Sequence, residues 1–179
     1  MRMHVRTKQL AISGLLAAFS AVLMVLSATI ETNSLFLIAA ASFSVGIVIR
    51  EWGIPSAWGY YVASALVNLL VTPNKYYCIT YAMMGMYILL SEWLWEKIAE
   101  SGYLSHRMLM LWIGKYLIFN MMYVPSVIFL QDLLFSRRVQ SLGIALVILV
   151  GQIALFIFDN AYRYFQSAVW GRIRIKIMG

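Results

Sequence analysis

The chain has 179 residues, of which 63% are hydrophobic and only 12% are charged, and its formal net charge is +7. Soluble globular domains are about 45–50% apolar and about 25% charged, so this composition excludes an ordinary water-facing surface. If most of the apolar residues form membrane helices, too few residues remain for a separate catalytic or nucleotide-binding domain. The basic residues flank apolar segments, which favours orientation signals and contact with lipid headgroups over nucleic-acid binding.

Six apolar segments are predicted to form transmembrane helices, for which roughly 20 apolar residues are needed. The second is short for a span, and polar or charged turns separate the segments. The segments are 9–30, 35–49, 54–71, 76–95, 108–130 and 142–158. We therefore predict an all-α fold, a polytopic membrane helix bundle that forms a single transmembrane domain over residues 1–179.

The distribution of lysine and arginine predicts the orientation of this bundle. With six spans, ten basic residues share the side of the N-terminus, and Lys75, Arg137 and Arg138 lie on the other side. The positive-inside rule then places both termini in the cytoplasm of a multi-pass protein in the bacterial cell membrane. The Arg137-Arg138 pair fits this arrangement poorly and leaves the side of the last hairpin open.

Small residues recur on the first predicted helix. Gly14 and Ala18 are four positions apart, as are Ala17 and Ala21, so each pair lies on one helix face. Such faces let another helix backbone approach closely. They indicate either a docking face for a partner protein or packing within the same bundle.

Lys115 lies about two turns inside the fifth predicted span. A lysine near the centre of a membrane helix costs roughly 2.5–3.5 kcal/mol, so it should face the bundle interior or extend to the membrane surface. Tyr116, Asn120 and Tyr123 follow along one face. This face favours interhelical hydrogen bonds or contacts with a bound molecule.

A second polar face lies at the C-terminal end of the third predicted span. Asn68 and Thr72 share it with Tyr61, and the turn that follows contains Lys75 and leads to Tyr77. A cation, an amide and phenols near one interface suit an anionic or aromatic ligand, although an aromatic belt with a surface lysine has the same composition.

The sixth span ends with Asp159 and Arg163, whose spacing of four predicts an ion pair with a structural role. No zinc-protease, serine-hydrolase or P-loop motif is present. The single cysteine, Cys78, excludes an internal disulfide bond and makes a cysteine-based metal cluster unfavourable. We therefore expect no catalytic residues, no cofactor and no metal.

Four stretches carry a family resemblance. Residues 7–18, TKQLAISGLLAA, resemble the start of the substrate-binding S components of energy-coupling factor (ECF) vitamin transporters. Residues 50–53, 73–75 and 115–120 resemble a group of Firmicutes membrane proteins with an S-component-like organisation. In S components an AxxxA motif in the first helix docks the coupling subunit, and here glycine replaces one alanine in the Gly14/Ala18 pair.

The resemblance implies a small-molecule-binding subunit of an importer, for a vitamin or its precursor. It further implies, as partners, a coupling membrane subunit and two ATPase subunits. The implied docking residues are Gly14, Ala17, Ala18 and Ala21. The residues expected to bind the substrate are Asn33, Asn68, Lys75, Tyr77, Lys115 and Asn120. The main alternative is a non-transport membrane scaffold in cell-wall or cell-shape assembly, and a small membrane enzyme acting on lipid is a third.

Overall fold

The computed structural model describes residues 2–100, 107–129, 141–172 and 174. All regular structure in these ranges is helical, so the all-α prediction is confirmed. The five long helices are α1 (Arg2–Thr29), α2 (Ser34–Val71), α3 (Lys75–Glu100), α4 (Arg107–Phe129) and α5 (Ser141–Tyr164). A 3₁₀ turn, Glu31–Asn33, precedes α2, and a π-helical segment, Phe165–Trp170, continues α5.

Four of these helices contain segments that are long and apolar enough to cross a membrane. Within the described ranges the segments are Thr7–Thr29, Ser34–Val71, Arg107–Ile128 and Leu146–Trp170. Helix α3 is less apolar, because four tyrosines and three glutamates interrupt its hydrophobic residues. The chain is therefore a membrane protein by the length and composition of its helices.

Gly53 breaks α2 into two arms. Its backbone has φ 80° and ψ 172°, a conformation that glycine adopts without the steric cost of a Cβ atom. Across the break, Tyr60 Oη donates a hydrogen bond to Ser44 Oγ at 2.8 Å. One straight helix would separate residues 16 positions apart by about 24 Å. The arms therefore fold back on one another, and the break follows the charged residues between the second and third predicted spans.

The described chain divides into two compact units, Met1–Trp93 and Leu94–Gly179, with the boundary inside α3. In the first unit, α1, the first arm of α2 and α3 meet around a buried core of Met24, Ile38, Ala41, Cys78 and Tyr81. The single transmembrane domain over 1–179 stays a prediction. Arg137 and Arg138, which bear on the side of the last hairpin, lie outside the described residues.

Large apolar side chains are exposed on the helices of both units. Leu10 is 74% exposed, Leu70 is 82% exposed and Met121 is 76% exposed. Such exposure is unfavourable in water by about 25 cal/mol per Å² of apolar surface, whereas lipid tails are as apolar as leucine. The outer surfaces of these helices are thus suited to lipid.

Candidate functional site

The first unit contains a buried group of hydroxyl and amide side chains, which we call the Tyr81 cluster. The cluster comes from α1, from both arms of α2 and from α3. Its members are Ser20, Ser44, Tyr60, Ser64, Asn68 and Tyr81, all buried. A polar group placed inside apolar helices is favourable only when its hydrogen bonds are made there.

Hydrogen bonds join the members of this cluster in pairs, such as Tyr60 with Ser44 and Asn68 with Ser20. The hydroxyls of Tyr81 and Ser64 are 2.8 Å apart, which joins α3 to the second arm of α2. The side chains of Ser20, Ser44 and Asn68 also lie near the Tyr81 hydroxyl. Tyr81 therefore lies among polar side chains from α1 and from both arms of α2.

The hydrogen bonding of the Asn68 side chain is incomplete. Its Nδ2 donates to Ser20 Oγ at 3.2 Å, but its Oδ1 has no partner among the described residues. Thr72 Oγ1, one helical turn further along α2, is buried in the same unpartnered state within the described chain. Leaving a buried acceptor unsatisfied costs about 1–3 kcal/mol. Both oxygens can accept hydrogen bonds from a water molecule or from a bound ligand.

Next to Asn68, the thiol of Cys78 donates to the backbone oxygen of Asn68 at 3.4 Å. Cys78 and Tyr81 also belong to the apolar core of this unit, so the polar cluster and the core are contiguous. This arrangement holds the end of α2 against α3.

Three other predicted substrate-binding residues of this unit have different environments. Lys75 Nζ donates to the backbone oxygens of Leu69 and Thr72, the latter at 3.0 Å, and so caps the C-terminal end of α2. Tyr77 packs against the apolar core, and Asn33 is exposed in the turn before α2. Only Asn68 of this group combines complete burial with an unpartnered acceptor in the described residues.

In the second unit, the predicted site residue Lys115 forms an ion pair with Asp159 of α5. Lys115 Nζ lies 2.6 Å from Asp159 Oδ1, and the Asp159 side chain is only 1% exposed. Arg163 Nε lies 3.2 Å from Asp159 Oδ2, which confirms the ion pair predicted from the spacing of four. Two cations thus surround one buried carboxylate.

The indole of Trp112 completes this cluster. Its ring centroid lies 5.8 Å from Lys115 Nζ and 5.4 Å from the guanidinium carbon of Arg163. The same ring stacks on Phe156 with centroids 5.7 Å apart. Both cations therefore contact an aromatic surface as well as the carboxylate, an arrangement that partly compensates for their removal from water.

Further along the same helix pair, Asn120 and Gln152 bind one another through their side-chain amides. Asn120 Nδ2 donates to Gln152 Oε1 at 3.1 Å, and Gln152 Nε2 donates to Asn120 Oδ1 at 2.8 Å. Tyr123 Oη donates to the backbone oxygen of Val147 at 2.9 Å. Of the two interpretations of this polar face, interhelical hydrogen bonding is confirmed, and ligand contact at Asn120 stays a prediction.

The two small-residue pairs of α1 have different exposures. Gly14 and Ala18 are exposed, and a Cβ atom added at Gly14 would meet nothing within 4 Å among the described residues. Ala17 and Ala21 are half-buried. Ala21 also borders a shallow apolar groove formed with Val22, Val25, Leu26 and Val71. The exposed docking candidates are therefore Gly14 and Ala18.

Sequence reasoning identified Asn68 but not most of its neighbours. Ser20, Ser44 and Ser64 are serines inside apolar segments, a residue type that often only bonds the preceding helical turn. Their spacing in the sequence could have identified Ser64, because Ser64, Asn68 and Thr72 recur at every fourth residue and so lie on one helix face.

No group of three or more histidine, cysteine or acidic side chains lies where it could hold a metal ion, as far as the described residues extend. Comparison of the chain with protein-family models, with curated proteins and with solved structures finds no match.

Proposed function

We propose that this chain is the membrane-embedded substrate-binding subunit of an ECF-type importer for a small molecule such as a vitamin or its precursor. The observation that carries the proposal is the pair of buried acceptors, Asn68 Oδ1 and Thr72 Oγ1, which have no partner in the described residues. A ligand that donates hydrogen bonds to them would satisfy groups that are otherwise costly to bury.

The chemistry of the Tyr81 cluster indicates the character of this ligand. Its members are hydroxyls and one amide, and none carries a charge at neutral pH. The nearby Lys75 is engaged by backbone oxygens at the end of α2. We therefore expect a neutral ligand with hydrogen-bond donors rather than an anion.

The exposed face of α1 supports the docking part of the proposal. Gly14 offers open space, and Ala18 lies one turn further along the same face. A helix of a coupling membrane subunit can approach closely over two such residues. Two ATPase subunits on that partner would supply the energy, so the chain itself needs no catalytic residues and no cofactor.

The proposal includes six membrane crossings with both termini in the cytoplasm. The two arms of α2 supply two crossings, and α1, α3, α4 and α5 supply one each. The ten-to-three distribution of basic residues favours this orientation. Reporter fusions after residues 74 and 104 test it, because the first junction should report the outside and the second the cytoplasm.

Purification of the tagged protein from its native membrane in mild detergent tests the partner. Mass spectrometry should identify a coupling membrane protein together with paired ATPase subunits. Replacing Gly14 and Ala18 by leucine should abolish this association, because bulky side chains prevent close helix approach. The matched control is Ala63→Leu, an exposed small residue on α2, which should leave the association unchanged. Equal loss in both variants would contradict docking through α1.

A separate experiment tests whether the protein binds a small molecule at Asn68. Small molecules that co-purify with the wild type are extracted and compared with those from Asn68→Leu, which removes the unpartnered acceptor. The proposal predicts a compound present in the wild type and in the Thr80→Val control but depleted in Asn68→Leu. Identical extracts from all three proteins would contradict a ligand site at Asn68.

The paired polar side chains of the second unit favour the scaffold alternative. Lys115 is paired with Asp159, and Asn120 with Gln152, so these polar side chains satisfy one another. A non-transport membrane scaffold needs such packing and no ligand. Recovery of cell-wall or cell-shape proteins in the purification, without ATPase subunits, would favour it.

A further inference from the structure

The charged cluster of the second unit has more positive than negative charge. Lys115 and Arg163 both pair with the single carboxylate of Asp159. The other acidic residues of this unit in the described ranges, Glu96 and Glu100, form no ion pair with either cation. Within the described residues the cluster therefore carries one uncompensated positive charge.

This excess charge is accessible at Arg163. The Arg163 side chain is 49% exposed, whereas Lys115 is 16% exposed and Asp159 is 1% exposed. A guanidinium has five N–H donors. One of its nitrogens faces Asp159, and another donates to Asn160 Oδ1 at 2.7 Å. Donors remain for an anion that approaches from outside the helix pair.

The cluster lies near the end of an apolar segment. Arg163 precedes Trp170, the last residue of the segment Leu146–Trp170, by seven positions, or about 10 Å of helix. Arginine side chains reach from such depths to the membrane interface, and tryptophan is enriched there. The exposed Arg172 follows just beyond the segment. A lipid phosphate is the anion found at this level of a bilayer.

We propose that Arg163, with Lys115 and Trp112 behind it, forms a binding site for the headgroup of an anionic phospholipid. The phosphate would accept hydrogen bonds from the Arg163 guanidinium and would balance the charge that Asp159 leaves uncompensated. Asp159 sets the strength of the site, because it neutralises one of the two cations. The lipid tails would lie against the exposed apolar surface of α5, which includes Phe156 and Ile157.

Native mass spectrometry of the full-length protein tests this site. The protein is purified in detergent with equal amounts of phosphatidylglycerol and phosphatidylcholine, and retained molecules of each are counted. The wild type should prefer phosphatidylglycerol. Arg163→Gln removes charged hydrogen bonds to the phosphate and should lower this preference about tenfold, whereas Arg163→Lys keeps the charge and should largely keep the preference.

Asp159→Asn gives the opposite expectation. It removes the carboxylate with little change in shape, so it should raise the preference for phosphatidylglycerol. A purely structural role for the cluster predicts that Asp159→Asn and Arg163→Gln both lower lipid retention. Reduced retention in both variants, with helicity intact, would overturn the proposal. If Asp159→Asn does not fold, the contrast between Arg163→Gln and Arg163→Lys decides, since equal preferences in those two variants would overturn it.

Two further comparisons separate this site from other sources of anion binding. Arg172→Gln removes an exposed positive charge outside the cluster and should leave the preference nearly unchanged. A drop equal to that of Arg163→Gln would instead indicate diffuse attraction and overturn the site. Inorganic phosphate at millimolar concentration should not displace the lipid. Displacement that depends on Arg163 would identify a free-phosphate site and contradict the assignment to lipid.

Discussion

Lys115 and Asp159 join α4 to α5 through an ion pair in which Nζ lies 2.6 Å from Oδ1. The two residues are 44 positions apart in the chain, and both lie inside segments apolar enough to span a membrane. Arg163 approaches the other carboxylate oxygen. The energetic consequences of removing each member are therefore unequal.

Replacing Asp159 by leucine should destabilise the protein more than replacing Lys115 by methionine. Without Asp159 the largely buried Lys115 and the half-exposed Arg163 both lose their counter-charge. Breaking a fully buried pair costs about 3–5 kcal/mol, and the loss here should be smaller because Arg163 reaches solvent. Without Lys115 the carboxylate still has Arg163. The double variant should be more stable than Asp159→Leu alone. Unfolding is measured in detergent by the loss of helical circular dichroism on heating, because Cys78 lies in the other unit and would not report on this pair.

The control for this comparison is Lys97→Met. Lys97 and Glu100 form an ion pair at 2.9 Å in which both side chains are more than half exposed. Exposed pairs contribute little to stability, so this variant should unfold like the wild type. Equal effects of Asp159→Leu and Lys115→Met would contradict the shared-carboxylate arrangement.

The free energies of unfolding of Asn120→Leu, Gln152→Leu and the double variant, measured by thermal unfolding in detergent, should show positive coupling between the two positions. Each single variant leaves a half-buried amide without its reciprocal partner, whereas the double variant removes both amides. Interhelical hydrogen bonds in membranes are worth about 0.6 kcal/mol, and at most about 1.7 kcal/mol. The reference cycle combines Asn120→Leu with Ser167→Ala, two distant sites whose effects should add. Additive effects at Asn120 and Gln152 would show that their bond contributes nothing.

The positions of the helices could be predicted from the sequence far better than the side-chain pairs that join one helix to another. Hydropathy located helices, four of which contain segments apolar enough to span a membrane, whereas the predicted span 76–95 lies on the less apolar α3. The ion pair of Asp159 with Arg163 followed from their position on one helix. The pairing of Lys115 with Asp159 depends on the register of two helices distant in the chain. No local pattern in the sequence encodes that register. The sequence therefore showed that Lys115 is unfavourable inside a membrane helix, but it did not identify Asp159 as its partner.

The same limit applies to the candidate site of the first unit. Asn68 was predicted because it lies on a polar face of an apolar segment. Ser20 and Tyr81 come from other helices, and they lie near Asn68 only in the folded chain. The boundary at residues 50–53 was predicted, but the faces that it brings together depend on three-dimensional packing.

Gly85→Ala should destabilise the protein, because the glycine accommodates an aromatic ring from α2. A Cβ atom at this position would lie 2.8 Å from Cε2 of Tyr61, and Tyr61 Oη is held by a hydrogen bond to the backbone oxygen of Ala82. Overpacking of this kind typically costs about 1–3 kcal/mol. Gly59→Ala is the control, since its Cβ would meet nothing within 4 Å in the described residues. Thermal unfolding should show a lower midpoint for Gly85→Ala alone, and equal midpoints would contradict close packing at Gly85.

Tyr81→Phe tests whether the hydroxyl at the centre of its cluster stabilises the first unit. The change removes the 2.8 Å bond to Ser64 and leaves buried polar groups with fewer partners, a loss of about 1–2 kcal/mol. Tyr76→Phe, at a tyrosine that is 53% exposed, should have little effect. Adding Ser64→Ala to Tyr81→Phe should cost less than the sum of the single changes, because the bond is lost only once. These free energies are obtained from thermal unfolding followed by Cys78 labelling. Full additivity would mean that Tyr81 and Ser64 do not stabilise the unit through each other, and the cluster would then be a collection of independent hydroxyls rather than a network.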